Sequence, residues 1–154
     1  MRDIKTATSD DFLNWTNPDW LSYPVGTPSE HLYTNAIMLY ERAPHLMLGF
    51  PTRYNPATQQ VEPILMSSRD GVLFDRWQEP LIPITAPEDR DGNRSNYMAW
   101  GLVPTGDDGR ELSVYATEAY YAGPDSRIRR FTYRTDGFVS AKASGGIGEL
   151  VTRK

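Results

Sequence analysis

The sequence contains no cysteine, which excludes disulfides, thiolate catalysis and cysteine-ligated metals, and leaves the redox compartment unmarked. Histidine is almost as scarce. His31 and His45 are the only two, and without a His-rich cluster they make a poor metal site, so no metal or other cofactor is expected. No apolar run approaches the roughly 20 residues that a membrane-spanning helix needs, and no membrane partner is expected. Basic charge is not in excess: 16 Lys and Arg against 20 Asp and Glu give a net charge of −4, which argues against nucleic acid as a partner. The only dense basic group is Arg127, Arg129 and Arg130. Strand alternation puts the first two on one face and the third on the other, and the group reads as a solvated strand rather than a phosphate site. There is no phosphate loop, nucleophile elbow or dinucleotide fingerprint. Residues 1–5 carry no apolar signal region, so the expected placement is the cytoplasm or the interior of a longer protein.

What is present is aromatic and strand-forming. The 154 residues suffice for one ordinary domain, and nine Tyr, four Trp and five Phe favour β-structure with aromatic groups on its surface. The sequence also repeats itself. Residues 9–15 read S-x-D-x-x-x-W, residues 68–74 read S-x-D-G-x-x-F, and Asp136-Gly137 echoes the same turn a third time. A period of roughly sixty residues, with strand-like segments between the marks, suggests one four-stranded antiparallel sheet per repeat, the unit of a β-propeller blade. The expected fold is therefore all-β, an incomplete ring of about two blades plus the edge of another. Residues 1–20 form the edge of a preceding blade, 31–84 and 94–143 form blades, and 144–154 form a tail. The Pro-, Ser- and Gly-rich stretch 17–30 and the polar loop 85–94 are the connections between them.

Within the first full blade the expected strands are 32–40, 45–50, 60–67 and 72–77. Within the next they are 97–103, 111–119, 126–133 and 138–143. The carboxylates of the S-x-D turns are assigned to structure, since Asp11, Asp70 and Asp136 can accept backbone N–H bonds inside their own turns while Gly71 supplies a positive φ. An incomplete ring also leaves apolar blade faces in water, so self-association through those faces is expected.

The functional candidates lie at corresponding strand ends. Setting Thr52 over Thr117 puts Arg53 over Glu118, each flanked by aromatics: Tyr54 in one repeat, Tyr120 and Tyr121 in the other. A carboxylate, a guanidinium fork and aromatic faces are what a sugar site uses. The alternative is an Arg53–Glu118 pair that cements two blades. Asn35, Arg94 and Asn96 open the inner strands, where hydrogen bonding to a ligand and plain turn formation both remain open.

The segments T-N-A-I-M-L-Y-E-R-A-P-H-L-M-L-G-F-P-T-R-Y, S-S-R-D-G-V-L-F-D-R-W, N-R-S-N-Y-M-A-W-G-L and L-S-V-Y-A-T-E-A-Y-Y resemble the later part of a bacterial glycosyl-hydrolase-like family. Its fold is a five-bladed propeller similar to glycoside hydrolase families 32 and 43. The resemblance covers about residues 5–145. It implies a glycosidase acting on carbohydrate, with Glu118 aligned to the acid and Asn35, Arg53, Tyr54, Arg94, Asn96 and Tyr120 around the substrate. It also implies that residues 136–140 lead into a β-sandwich. The family 32 signatures W-M-N-D-P-N-G and R-D-P are absent, and so is the blade that would carry the first catalytic Asp. The expected alternatives are a carbohydrate-binding or scaffold module without the full acid–base pair, and a fragment with no function of its own.

Overall fold

The computed structural model describes residues 1–83, 96–118, 120, 124, 126–141 and 145–151. The connection at 84–95, with Arg94 in it, and Tyr121 lie outside the described residues. The regular elements of the described residues are all β-strands, as alternating and continuous apolar runs without helical period dictate.

A short hairpin comes first, β1 (Lys5–Thr6) against β2 (Asp19–Trp20). Six strands of one antiparallel sheet follow: β3 (His31–Tyr33), β4 (Met38–Tyr40), β5 (Ala43–Gly49), β6 (Thr52–Asn55), β7 (Gln60–Ser68) and β8 (Asp75–Pro80). A three-stranded sheet ends the fold, with β9 (Val103–Thr105), β10 (Glu111–Glu118) and β11 (Arg127–Arg134) in the order β11-β10-β9.

The six-stranded sheet is a meander whose rows are interrupted. β5 and β6 lie end to end along β7 in one register, Met47 opposite Ser68 through to Asn55 opposite Gln60, so Phe50-Pro51 breaks the assignment without slipping the pairing. The Ile64 N–H donating to the Pro51 carbonyl carries the ladder through that break. β3 and β4 line the far side of the same row, and β8 runs along the free side of β7. The expected single strand 32–40 is divided because Thr34 and Ala36 both take φ of 42°, turning the chain out of the ladder between β3 and β4. The expected strand 138–143 is absent over 138–141, and residues 142–144 lie outside the described residues.

Two clusters fix how the sheets stack. Ile64 and Met66 on one face of β7 pack with Leu32 and Phe74 against Ile4 and Leu21 of the first hairpin segment. Leu65 faces the other way and joins Leu48 and Phe50 against Leu112, Val114 and Ala116 of β10. The central sheet is thus buried on both faces, which is why β7 is almost continuously apolar where a half-exposed strand would alternate. Hydrophobic burial between layers, at roughly 25 cal/mol per Å² of apolar surface, is the main force holding the three sheets in sequence.

The two S-x-D turns fold alike. The Ser68 hydroxyl donates to Asp70 Oδ1, and that oxygen accepts the N–H groups of Val72 and Leu73, each at 2.8 Å. Ser9 and Asp11 repeat this with Leu13 at 2.8 Å and Asn14 at 2.7 Å. These hydrogen bonds hold both carboxyl groups below the usual carboxylate range. The third turn differs. Asp136 reaches out of its turn to Tyr40 and to Arg42 Nε, at 3.1 Å for the latter, and so ties the last sheet to the central one. Its carboxyl is also held low, first by the Tyr40 hydroxyl.

Candidate functional site

Arg53 sits on β6 opposite Glu62 of β7, and their ion pair closes at 2.5 Å because cross-strand neighbours share a face. The same guanidinium pairs with Glu30 at 3.2 Å and donates to the Gln78 carbonyl at 2.9 Å. Glu30 passes the charge on to Arg76 at 3.1 Å, whose side chain is only 1% exposed and lies over the Tyr23 ring. Tyr23 donates to Asp3 at 2.9 Å, and burial pushes its phenol well above the ordinary value. The chain from Asp3 to Glu62 therefore crosses from the first hairpin segment into the central sheet.

A cleft of about 410 Å³ opens beside this network, lined by Glu30, His31, Arg53, Tyr54, Gln60 and Glu62 among others. The Tyr54 ring meets His31 and Tyr33 edge-on, with centroids 6.0 and 5.5 Å apart; Tyr54 and His31 line the cleft, while Tyr33 lies behind them under the Arg2 guanidinium. His31 Nδ1 is buried with no partner among the described residues. The cleft lies at the β6–β7 turn, the end of the sheet opposite the Asp70 turn.

Glu118 belongs to a second cluster. It is 3% exposed at the end of β10 and is held by Arg127 and by Arg129, the latter at 2.6 Å. Both carboxylate oxygens are occupied by guanidinium groups, so neither is presented to a substrate. Arg127 and Arg129 share a face of β11, as alternation requires, but that face looks onto Glu118 and the core rather than into solvent. Arg130 is exposed.

Arg53 and Glu118 thus each have their own partners, and neither pairs with the other. The backbone nevertheless brings their clusters to one end of the molecule. Asn96 N–H donates to Val61 O, next to Glu62, and Thr117 N–H, next to Glu118, donates to Tyr97 O. Asn96 is buried at that junction, and Tyr120 packs edge-on against Tyr97 with centroids 5.0 Å apart. Asn35 lies elsewhere. It is exposed, its side chain accepts from Ile37 N–H at 3.1 Å within its own turn, and its carbonyl accepts from Phe50 N–H at 2.8 Å.

Sequence reasoning missed Glu30, His31 and Glu62. Each is brought to Arg53 or Tyr54 by strand pairing, Glu62 through β7 and His31 through β3, or by packing, as with Glu30. Among the described residues no group of three or more His, Asp or Glu is placed to hold a metal. No family model, curated protein or solved structure matches this chain.

Proposed function

We propose that this chain is part of a β-propeller whose stacked sheets are its blades, and that it binds carbohydrate in the cleft beside Arg53. The propeller reading is supported by three antiparallel sheets in chain order, joined one to the next by apolar clusters, and by two S-x-D turns with one hydrogen-bond pattern.

The observation that carries the ligand is that the paired rings of Tyr54 and His31 line the same cleft as the Arg53–Glu62 pair. Aromatic edges and faces suit the C–H surface of a sugar ring, and the charged groups around them suit its hydroxyls. The lining sets Arg53 against Glu30 and Glu62, an acidic balance that disfavours an anionic saccharide and favours a neutral one. Binding is preferred to catalysis because the acid assigned by resemblance, Glu118, has both oxygens in ion pairs.

A hydrolytic reading rests on Glu62, which borders the cleft with one oxygen on Arg53, whereas Glu30 has both oxygens in ion pairs and glycoside hydrolysis uses two carboxylates. Titration of neutral oligosaccharides by calorimetry, with parallel assay of reducing ends, separates the readings. Binding without turnover, weakened by Tyr54→Ala, is the expected result. Turnover abolished by Glu62→Gln establishes a hydrolase instead, and absence of binding to any saccharide defeats the carbohydrate assignment.

A further inference from the structure

A second groove, larger than the Arg53 cleft, lies between the edge of the central sheet and the last sheet. It has a volume of about 750 Å³ and runs between β4 and β9, with Leu39, Trp100, Leu102 and Pro104 on its walls and Glu41 and Arg42 at its mouth. Trp100 is its most unusual member. The side chain is 71% exposed, yet its indole N–H donates to the Ile37 carbonyl at 2.9 Å. A surface tryptophan with its one donor spent on backbone has a fixed orientation and only apolar faces left to offer. Leu39, 59% exposed on the facing edge strand, extends that apolar wall.

The polar groups are equally specific. Arg42 is anchored through Nε to Asp136, 3.1 Å from both carboxylate oxygens, and among the described residues its two terminal nitrogens have no partner. Glu41, its neighbour, has none either among the described residues. The groove therefore holds a free donor fork and a free acceptor, and Arg42 set against Asp136 and Glu41 leaves a slight acidic balance that disfavours an anionic ligand. β4 and β9 are three residues each, too short a pair of edges to hold an added peptide strand by its ladder bonds. A rigid aromatic platform, a limited apolar wall, and matched donors and acceptors fit a hydroxylated ring.

We infer that this groove is a second saccharide site, in which Trp100 is the stacking platform and Arg42 and Glu41 bind ring hydroxyls. The class of ligand rests on the carbohydrate reading given above, but the residues are separate from those of the Arg53 cleft.

Calorimetry with cellotetraose and xylotetraose, using trigalacturonate as the charged control, tests it by stoichiometry. The intact chain is expected to take two neutral sugars. Trp100→Ala and Arg42→Ala should each weaken one of the two by roughly tenfold, the scale of a lost aromatic contact. Tyr54→Ala should weaken only the other. Quenching of tryptophan fluorescence by sugar should survive Tyr54→Ala and be lost in Trp100→Phe. Glu41→Ala disturbs neither the Trp100–Ile37 contact nor the Arg42–Asp136 tie between the sheets, and the same weakening there answers the question even where the other variants fail to fold. A single bound sugar that Tyr54→Ala removes and Arg42→Ala leaves untouched overturns the second site while keeping the first. No bound sugar at all overturns both. Tighter binding of trigalacturonate at the Trp100 groove overturns the neutral-ring assignment.

Discussion

Phe12 and Gly71 occupy the same place in two turns of one hydrogen-bond pattern, each directly after the turn's aspartate, at φ of 60° and 75°. A bulky side chain in the left-handed region costs on the order of 1 kcal/mol, whereas glycine enters it without a steric penalty. Phe12→Gly is therefore expected to be neutral or to raise the melting temperature. The loss of the edge-on Phe12–Trp15 contact, 5.7 Å between exposed rings, offsets part of the gain. Gly71→Ala should do the reverse and lose about 1 kcal/mol, because its Cβ would also stand 3.3 Å from Met47 Sδ. Denaturant melts of the two variants check both signs.

The same comparison predicts an asymmetry between Asp70 and Asp11. The Asp70 turn delivers Phe74 into the core with no exposed surface, while the Asp11 turn ends at Trp15, which is 53% exposed. Asp70→Ala is expected to lower the melting temperature more than Asp11→Ala. Both carboxyl groups are held below the ordinary value, so their contribution is present above about pH 4 and is lost as pH falls through the lowered folded values. Acid titration of stability in the two variants should show less loss below pH 4 than in the parent. An unchanged acid limb in both would remove the turns from the account.

Glu118 and its two arginines should act as one unit. Removing the buried acid leaves two guanidinium groups facing each other, a change that costs about 3–5 kcal/mol in comparable buried pairs. Glu118→Gln is expected to fall near the lower end of that range, because Arg127 and Arg129 retain some access to water. Adding Arg129→Met to Glu118→Gln should recover part of the loss. Saccharide affinity at the Arg53 cleft should remain unchanged in any Glu118 variant that folds.

Alkaline stability should follow Tyr40 and Tyr133. Burial comes first in raising both phenols to about 12, with the Tyr40 hydroxyl also bound to Asp136. Folded phenols above the unfolded value of about 10 contribute stability that is full below pH 10 and is lost as pH rises to about 12. Tyr133→Phe should flatten this limb, and ultraviolet titration of the phenolates checks the two groups directly. Because Tyr133 also donates to the Leu81 carbonyl at 2.8 Å, a small loss at neutral pH accompanies the change.

Much of the strand order was legible because it is written in local chemistry. The S-x-D turns, the β-rich runs at 45–50 and 60–67, and the Thr105–Gly109 turn each place an element within a few residues, whereas β6 at Thr52–Asn55, between two prolines, was not expected as a strand. The division of the first row at Thr34 and Ala36 was not legible, since neither residue is one that usually takes positive φ. The tertiary demand that forces it is visible only in the fold, where the Asn35 carbonyl accepts from Phe50 N–H. The sites follow the same rule. Arg53 and Tyr54 could be picked out by residue type, and alternation put Arg127 and Arg129 on one face. Their partners are set by register and by stacking of sheets, which no local pattern encodes: Glu30, Glu62 and Glu118 reach them only once the strands are paired. The Trp100–Ile37 contact, between residues of different sheets, is of the same kind.

β11 closes the last sheet as an edge strand, paired on one side only among the described residues. An eight-residue open ladder is a template on which a second chain can grow. Here it carries Arg127, Arg129, Arg130 and Arg134. Two such edges meeting antiparallel would set arginines opposite or diagonal to arginines, and close approach of like charges disfavours that union. The strand that locks the acid Glu118 inside the fold is also a guard rail, turning copies of itself away from the long edge that it presents.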